Sequence, residues 1–89
     1  MEIQVTLTTQ VKAAVGEDVV SVVVDDGASV MDAIHKLATL HPEAFDRYVL
    51  TNGQLLPSIL LSLNDNQVDS TAVLADGDQL LLLSAISGG

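Results

Sequence analysis

The chain has 89 residues, 48% of them apolar and 17% charged, with a formal net charge of −9 and no cysteine. So short a chain makes one small domain without room for a deep catalytic cleft, and the missing cysteine excludes disulfide staples, thiolate metal sites and cysteine nucleophiles. Twelve acids face only Lys12, Lys36 and Arg47, a balance that repels phosphate backbones, so no nucleic acid and no anionic membrane is expected as a partner and a basic protein surface is favoured.

In chain order, Glu2 to Thr8 alternate polar and apolar residues, with Ile3, Val5 and Leu7 on one side, the period of a half-buried strand. The opening stretch lacks the basic segment and apolar run of a secretory signal, so a cytoplasmic protein is expected. A looser stretch with Gly16 precedes "DVVSVVVDDG", a β-branched strand stopped by Asp25, Asp26 and Gly27, and the pair reads as a hairpin. Ser29 then caps a helix whose Val30, Ala33, Ile34, Leu37 and His41 share one face, with Asp32 and Lys36 outside and Pro42 at its end. "PEAFDRY" suits a short helical turn, and "YVLTNGQLL" sets Asn-Gly between apolar residues, a hairpin signal. "SILLSLNDN" and "DGDQLLLLSA" read as two further strands, with a short one at Gln67 to Val68.

One helix between strand pairs predicts an α+β fold in which a mixed sheet of four to five strands packs on one main helix, its first and last strands parallel at the centre. This order is that of the β-grasp, or ubiquitin-like, domain. The domain is expected over residues 1–84, with 85–89 as a flexible C-terminal tail ending in Gly-Gly.

Successive residues of a strand point to opposite faces, so Leu80 to Leu83 cannot all face one helix. The same holds for Leu60 and Leu63 against Ile59 and Leu61, and for the valines at 22–24. A single-helix domain leaves the second face uncovered, and an exposed apolar patch meant for a partner is expected there. Gly88-Gly89 adds a thin segment without side chains that can thread a narrow channel and present an unhindered carboxylate. A carboxylate must be activated before it reacts, and the chain holds no P-loop or glycine-rich nucleotide fingerprint to do so.

Other constellations read as structural. His35 and His41 have no second ligand at zinc spacing, and Ser84 and Ser87 lack a base with an orienting acid. "DNQVDS" has calcium-loop acids but Ser70 where an EF-hand needs glycine, and reads as a turn. Asp76 and Asp78 flank Gly77 in a tight turn, or else face a basic patch on a partner.

The Asp76-Gly77-Asp78 turn, the Leu80 to Leu83 strand and Gly88-Gly89, together with "SLNDNQV", resemble the small sulfur-carrier proteins of the molybdopterin synthase small subunit (MoaD) and ThiS type. The resemblance implies that an E1-like adenylyltransferase of MoeB/ThiF type uses ATP-Mg to adenylate Gly89, that a sulfur donor replaces AMP, and that the thiocarboxylate serves a biosynthetic enzyme such as a molybdopterin synthase large subunit. Ile86, Ser87 and Gly88 would line the threaded tail, and Leu81 and Leu83 would dock on the activating partner. It further implies a protein substrate, not an enzyme, with no bound cofactor and no metal. Ser84 and Ala85 stand where many molybdopterin-type members carry prolines, and Tyr48 to Pro57 is longer than the shortest thiazole-pathway carriers need. Molybdopterin, thiamin and cysteine biosynthesis therefore stay open as destinations, as do a ubiquitin-like modifier conjugated through Gly89 and a noncovalent β-grasp binding subunit.

Overall fold

The computed structural model of the chain describes residues 1–84, and its first strand, β1 (Glu2–Thr6), buries Ile3 and Val5 as their alternation predicts. It pairs antiparallel with β2 (Val19–Val23), Val5 opposite Val20. Their connection differs from the expected simple hairpin, because Thr9–Val15 winds into a helix, α1. Gly16 closes this helix in the left-handed region (φ 91°) and donates its N–H to the Lys12 carbonyl, a conformation that glycine adopts without the steric cost of a side chain. Seven residues with only Val11 buried carry too little periodicity to announce a helix in the sequence.

The main helix, α2 (Val30–Leu40), buries Val30, Ala33, Ile34 and Leu37. Its start is a reciprocal cap: the Ser29 hydroxyl accepts from the Asp32 N–H at 3.1 Å, and the Asp32 carboxylate accepts from the Ser29 N–H at 2.9 Å. Asp32 is thus engaged at the helix start. Pro42 ends α2 and begins α3 (Pro42–Tyr48), where its missing N–H is no loss. The fully buried Phe45 and Val49 anchor this segment in the core.

The expected Asn-Gly hairpin is a two-stranded ribbon, β3 (Leu50–Thr51) and β4 (Gln54–Leu55), with Asn52 and Gly53 at positive φ. Next come β5 (Ile59–Leu63), β6 (Asn66–Val68) and β7 (Gln79–Ser84). Part of "DNQVDS" is therefore strand, with the turn moved back to Asn64 and Asp65, both at positive φ.

The five-stranded sheet has the order β2-β1-β7-β5-β6. β7 lies at its centre, parallel to β1 and antiparallel to β5, which is the β-grasp topology. One continuous core joins the inner side chains of the sheet, Ile3, Val5, Val22, Leu61, Leu80 and Leu82 among them, to the helices. Each large buried side chain stabilises the fold by about 1.5–3 kcal/mol. Leu63 belongs to the inner set with Ile59 and Leu61, not with Leu60 as the sequence reading grouped it. Its partner across the ladder is the buried Leu80.

Candidate functional site

On β7 the alternation sorts the leucines by face. Leu80 and Leu82 are each 1% exposed, whereas Leu83 is 41% exposed and Leu81 is half-buried. Leu83 stands opposite Leu60, itself 39% exposed, and Leu81 opposite Ser62 on β5 and Thr6 on β1. Val19, across from Thr6 on β2, is also exposed. The outer face of the sheet is therefore apolar and uncovered towards the end where β7 runs into residues 85–89. An uncovered row of large apolar side chains on a small domain is suited to a protein partner.

The same end of β7 is held by a side chain that the sequence did not single out. The Thr8 hydroxyl donates to the Leu82 carbonyl at 2.8 Å and accepts a longer contact of 3.4 Å from the Ser84 N–H. Thr8 is the residue before α1, yet its side chain makes no cap with that helix. A threonine between a strand and a helix is too common a pattern to have marked it in advance.

The opposite end of β7 is built by the Asp-Gly-Asp turn. The Asp76 carboxylate accepts from the Glu2 N–H at 2.9 Å, and the Asp78 carboxylate accepts from the Ala75 N–H at 2.8 Å and the Asn64 side-chain amide at 2.9 Å. Gly77, at φ 85°, donates to the Glu2 carbonyl. The turn thereby ties the starts of β1 and β7 to the β5–β6 turn, and both aspartates already serve the fold. His35 is likewise structural, its Nε2 lying 2.9 Å from the Gly53 carbonyl and fastening the β3–β4 ribbon to α2.

Two carboxyls are shifted, each by neighbours and not by burial. The Ser29 backbone N–H first, with its hydroxyl, holds Asp32 below the ordinary carboxylate range. The Thr71 hydroxyl and then the Thr71 N–H do the same for Asp69. Both are turn or cap acids on the surface, not catalytic groups. Among the described residues no three His, Cys, Asp or Glu side chains gather as a metal site, and no helix is long and apolar enough to cross a membrane.

Of the residues expected at the site, the structure places Leu81 and Leu83 together on the outer face. Ile86, Ser87, Gly88 and Gly89 lie outside the described residues.

The sequence model of the ThiS family matches residues 5–89, all of the sheet from Val5 onward and the Gly-Gly pair included. The chain belongs to the ThiS family. No curated protein matches it. Among solved structures, SAMP1 from Haloferax volcanii is 30% identical over 100% of both chains, with a TM-score of 0.89. The Amycolatopsis orientalis BexX/CysO complex gives 27% identity over 98% of this chain and 99% of that one, with a TM-score of 0.75. The complex of subunits 1 and 2 of molybdopterin-converting factor from Helicobacter pylori, at 22% identity and a TM-score of 0.59 over 100% of both chains, shares the fold. This ThiS-family chain thus sets an apolar outer face beside a central strand that leads to its paired glycines.

Proposed function

We propose that the chain is a sulfur carrier that acts through the carboxylate of Gly89. The observation that supports this most is the family match running through Gly88-Gly89, the segment fed by the central strand β7. An E1-like adenylyltransferase of MoeB/ThiF type supplies the activation: a carboxylate oxygen of Gly89 attacks the α-phosphorus of ATP-Mg, the bond to the β-phosphate breaks, and an acyl adenylate and pyrophosphate form. A sulfide-level donor then attacks the acyl carbon and AMP departs with the bridging oxygen, leaving a thiocarboxylate. Leu81 and Leu83 dock the carrier on the activating partner, Ile86, Ser87 and Gly88 line the threaded tail, and the transferable sulfur passes next to a biosynthetic enzyme of the molybdopterin, thiamin or cysteine type. ATP-Mg belongs to the activating partner, and the carrier is a protein substrate, not a catalyst, working in the cytoplasm.

A second reading, a ubiquitin-like modifier joined to lysines through Gly89, is favoured by the 30% identity to SAMP1, a protein of the small archaeal modifier group. Both readings use the same activation. The intact mass after incubation with an E1-like enzyme, ATP-Mg and sulfide tests the first: the expected gain is the difference between sulfur and oxygen, lost when Gly89 is deleted. An unchanged mass with no AMP formed overturns both for that enzyme, and an isopeptide ladder requiring Gly89 in cells selects the second.

A further inference from the structure

The Thr8 contacts have a specific meaning in the β1–β7 ladder. In that parallel pairing Gln4 is matched to Gln79 and Thr6 to Leu81, and the Gln4 N–H reaches the Asp78 carbonyl. Continued by two more residue pairs, the ladder would match Thr8 to Leu83, with the Thr8 N–H donating to Leu82 and the Thr8 carbonyl accepting from Ser84. Those two β7 groups are the ones the Thr8 hydroxyl contacts. The Thr8 carbonyl has been taken by α1, where it accepts from the Lys12 N–H. One hydroxyl, which can donate and accept, replaces a backbone rung that the helix removed.

The local chain is unfavourable in two respects that this arrangement explains. Thr8 forgoes the helix cap its side chain could make. Thr9 stands at φ 50°, a left-handed conformation that a β-branched residue rarely adopts, whereas the other non-glycine residues at positive φ among the described residues are Asn52, Asn64 and Asp65 in turns. Such departures persist where the surrounding structure demands them, and they cluster where geometry matters for function.

We propose that Thr8 is a positioning residue for the reaction at Gly89: its hydroxyl extends the grip on β7 past the end of β1 to Ser84, and so holds in place the end of the strand from which the chain continues towards Gly89 while the activating enzyme engages it. The inference rests on the sulfur-carrier reading. Leu81 and Leu83 provide docking, while Thr8 holds the strand end, so the two should separate kinetically.

The test compares Thr8→Val, which keeps the shape and loses the hydroxyl, Thr8→Ala as a second hydroxyl-free variant, and Thr8→Ser, which restores it, all in the full chain. ATP–pyrophosphate exchange is measured with the activating enzyme that accepts the wild-type carrier, at a temperature where amide spectra show every variant folded. The two hydroxyl-free variants are expected to lose roughly tenfold in kcat with KM near wild type, since a loosely held strand end lowers rate more than docking, and Thr8→Ser to return within about twofold. Wild-type kcat in either folded hydroxyl-free variant, or a Thr8→Ser variant as slow as the other two, overturns the positioning role and leaves the carrier reading standing. Failure of the wild type to exchange with any E1-like enzyme of its own cell overturns the carrier reading and this inference with it.

Discussion

At the residue scale, hydrogen bonds from single side chains decide where elements begin. Ser29→Ala removes the acceptor for the Asp32 N–H, and a loss of about 1 kcal/mol is expected in denaturant unfolding. The pH dependence has a definite sign. Folding depresses the Asp32 and Asp69 carboxyls below their ordinary 3.8, so the stability they confer is complete above that value and is lost as pH falls through the lower folded values. Asp32→Asn combined with Asp69→Asn should therefore flatten the acid limb of a stability–pH curve; an unchanged limb would assign it to other acids. Thr9→Gly should stabilise the fold by about 0.5–1 kcal/mol, because glycine takes the left-handed conformation without the clash that threonine suffers. The Ser29 cap was legible as a serine ahead of an apolar stripe, but Thr8 was not, since its partners Leu82 and Ser84 lie more than 70 positions away in sequence.

At the element scale, β7 divides its leucines between holding the fold and meeting a partner. Leu82→Ala opens a void under the central strand and should cost about 2–5 kcal/mol, while Leu83→Ser on the open face should change stability by under about 1 kcal/mol. Thermal unfolding checks both. On the carrier reading, Leu83→Ser should instead raise the KM for activation, and equal stability losses for the two changes would remove the distinction between faces. The alternation in β5 and β7 was visible as a pattern, yet its phase was not. Grouping Leu63 with Leu60 failed because residues two apart in a strand share a face, which sets Leu63 with Ile59 and Leu61; the register of Leu63 against the buried Leu80 makes that face the inner one. α1 was missed because a seven-residue helix is held by its place between β1 and β2 and by its Gly16 cap more than by an apolar stripe.

At the scale of the whole molecule, charge and apolar surface are distributed unevenly. Glu2, Asp76 and Asp78 crowd the starts of β1 and β7, and Asp25, Asp26 and Asp32 border one shallow cavity with Lys36 as their only cation there. Lys12 pairs with Asp18 at 3.0 Å, both side chains well exposed, a weak surface contact whose lysine is already counted in the net −9. Repulsion of this kind is screened as the Debye length falls from about 10 Å at 0.1 M salt to about 3 Å at 1 M. The thermal midpoint should accordingly rise with sodium chloride over that range, and a flat response would mean that the carboxylates are too far apart to matter. The face around Leu60, Leu81 and Leu83 sets these leucines beside Thr6 and Ser62, with Asp65 bordering the hollow next to Leu81, so a partner there buries apolar area and meets a carboxylate at the edge.

The class of fold was readable from the residues, because hydrophobic period, β-branched runs and the Ser29, Pro42, Asn52-Gly53 and Asp76-Gly77-Asp78 punctuation are local properties that each segment carries wherever it lies. So was the family, since the Asp-Gly-Asp turn, the leucine strand and the paired glycines sit together within sixteen residues. Tertiary structure alone decided which leucines face out, that both turn aspartates are engaged in holding strands, and that Thr8 grips the end of β7. Those facts depend on pairings between the two ends of the chain, and a contact across more than 70 residues leaves no periodic trace in either partner.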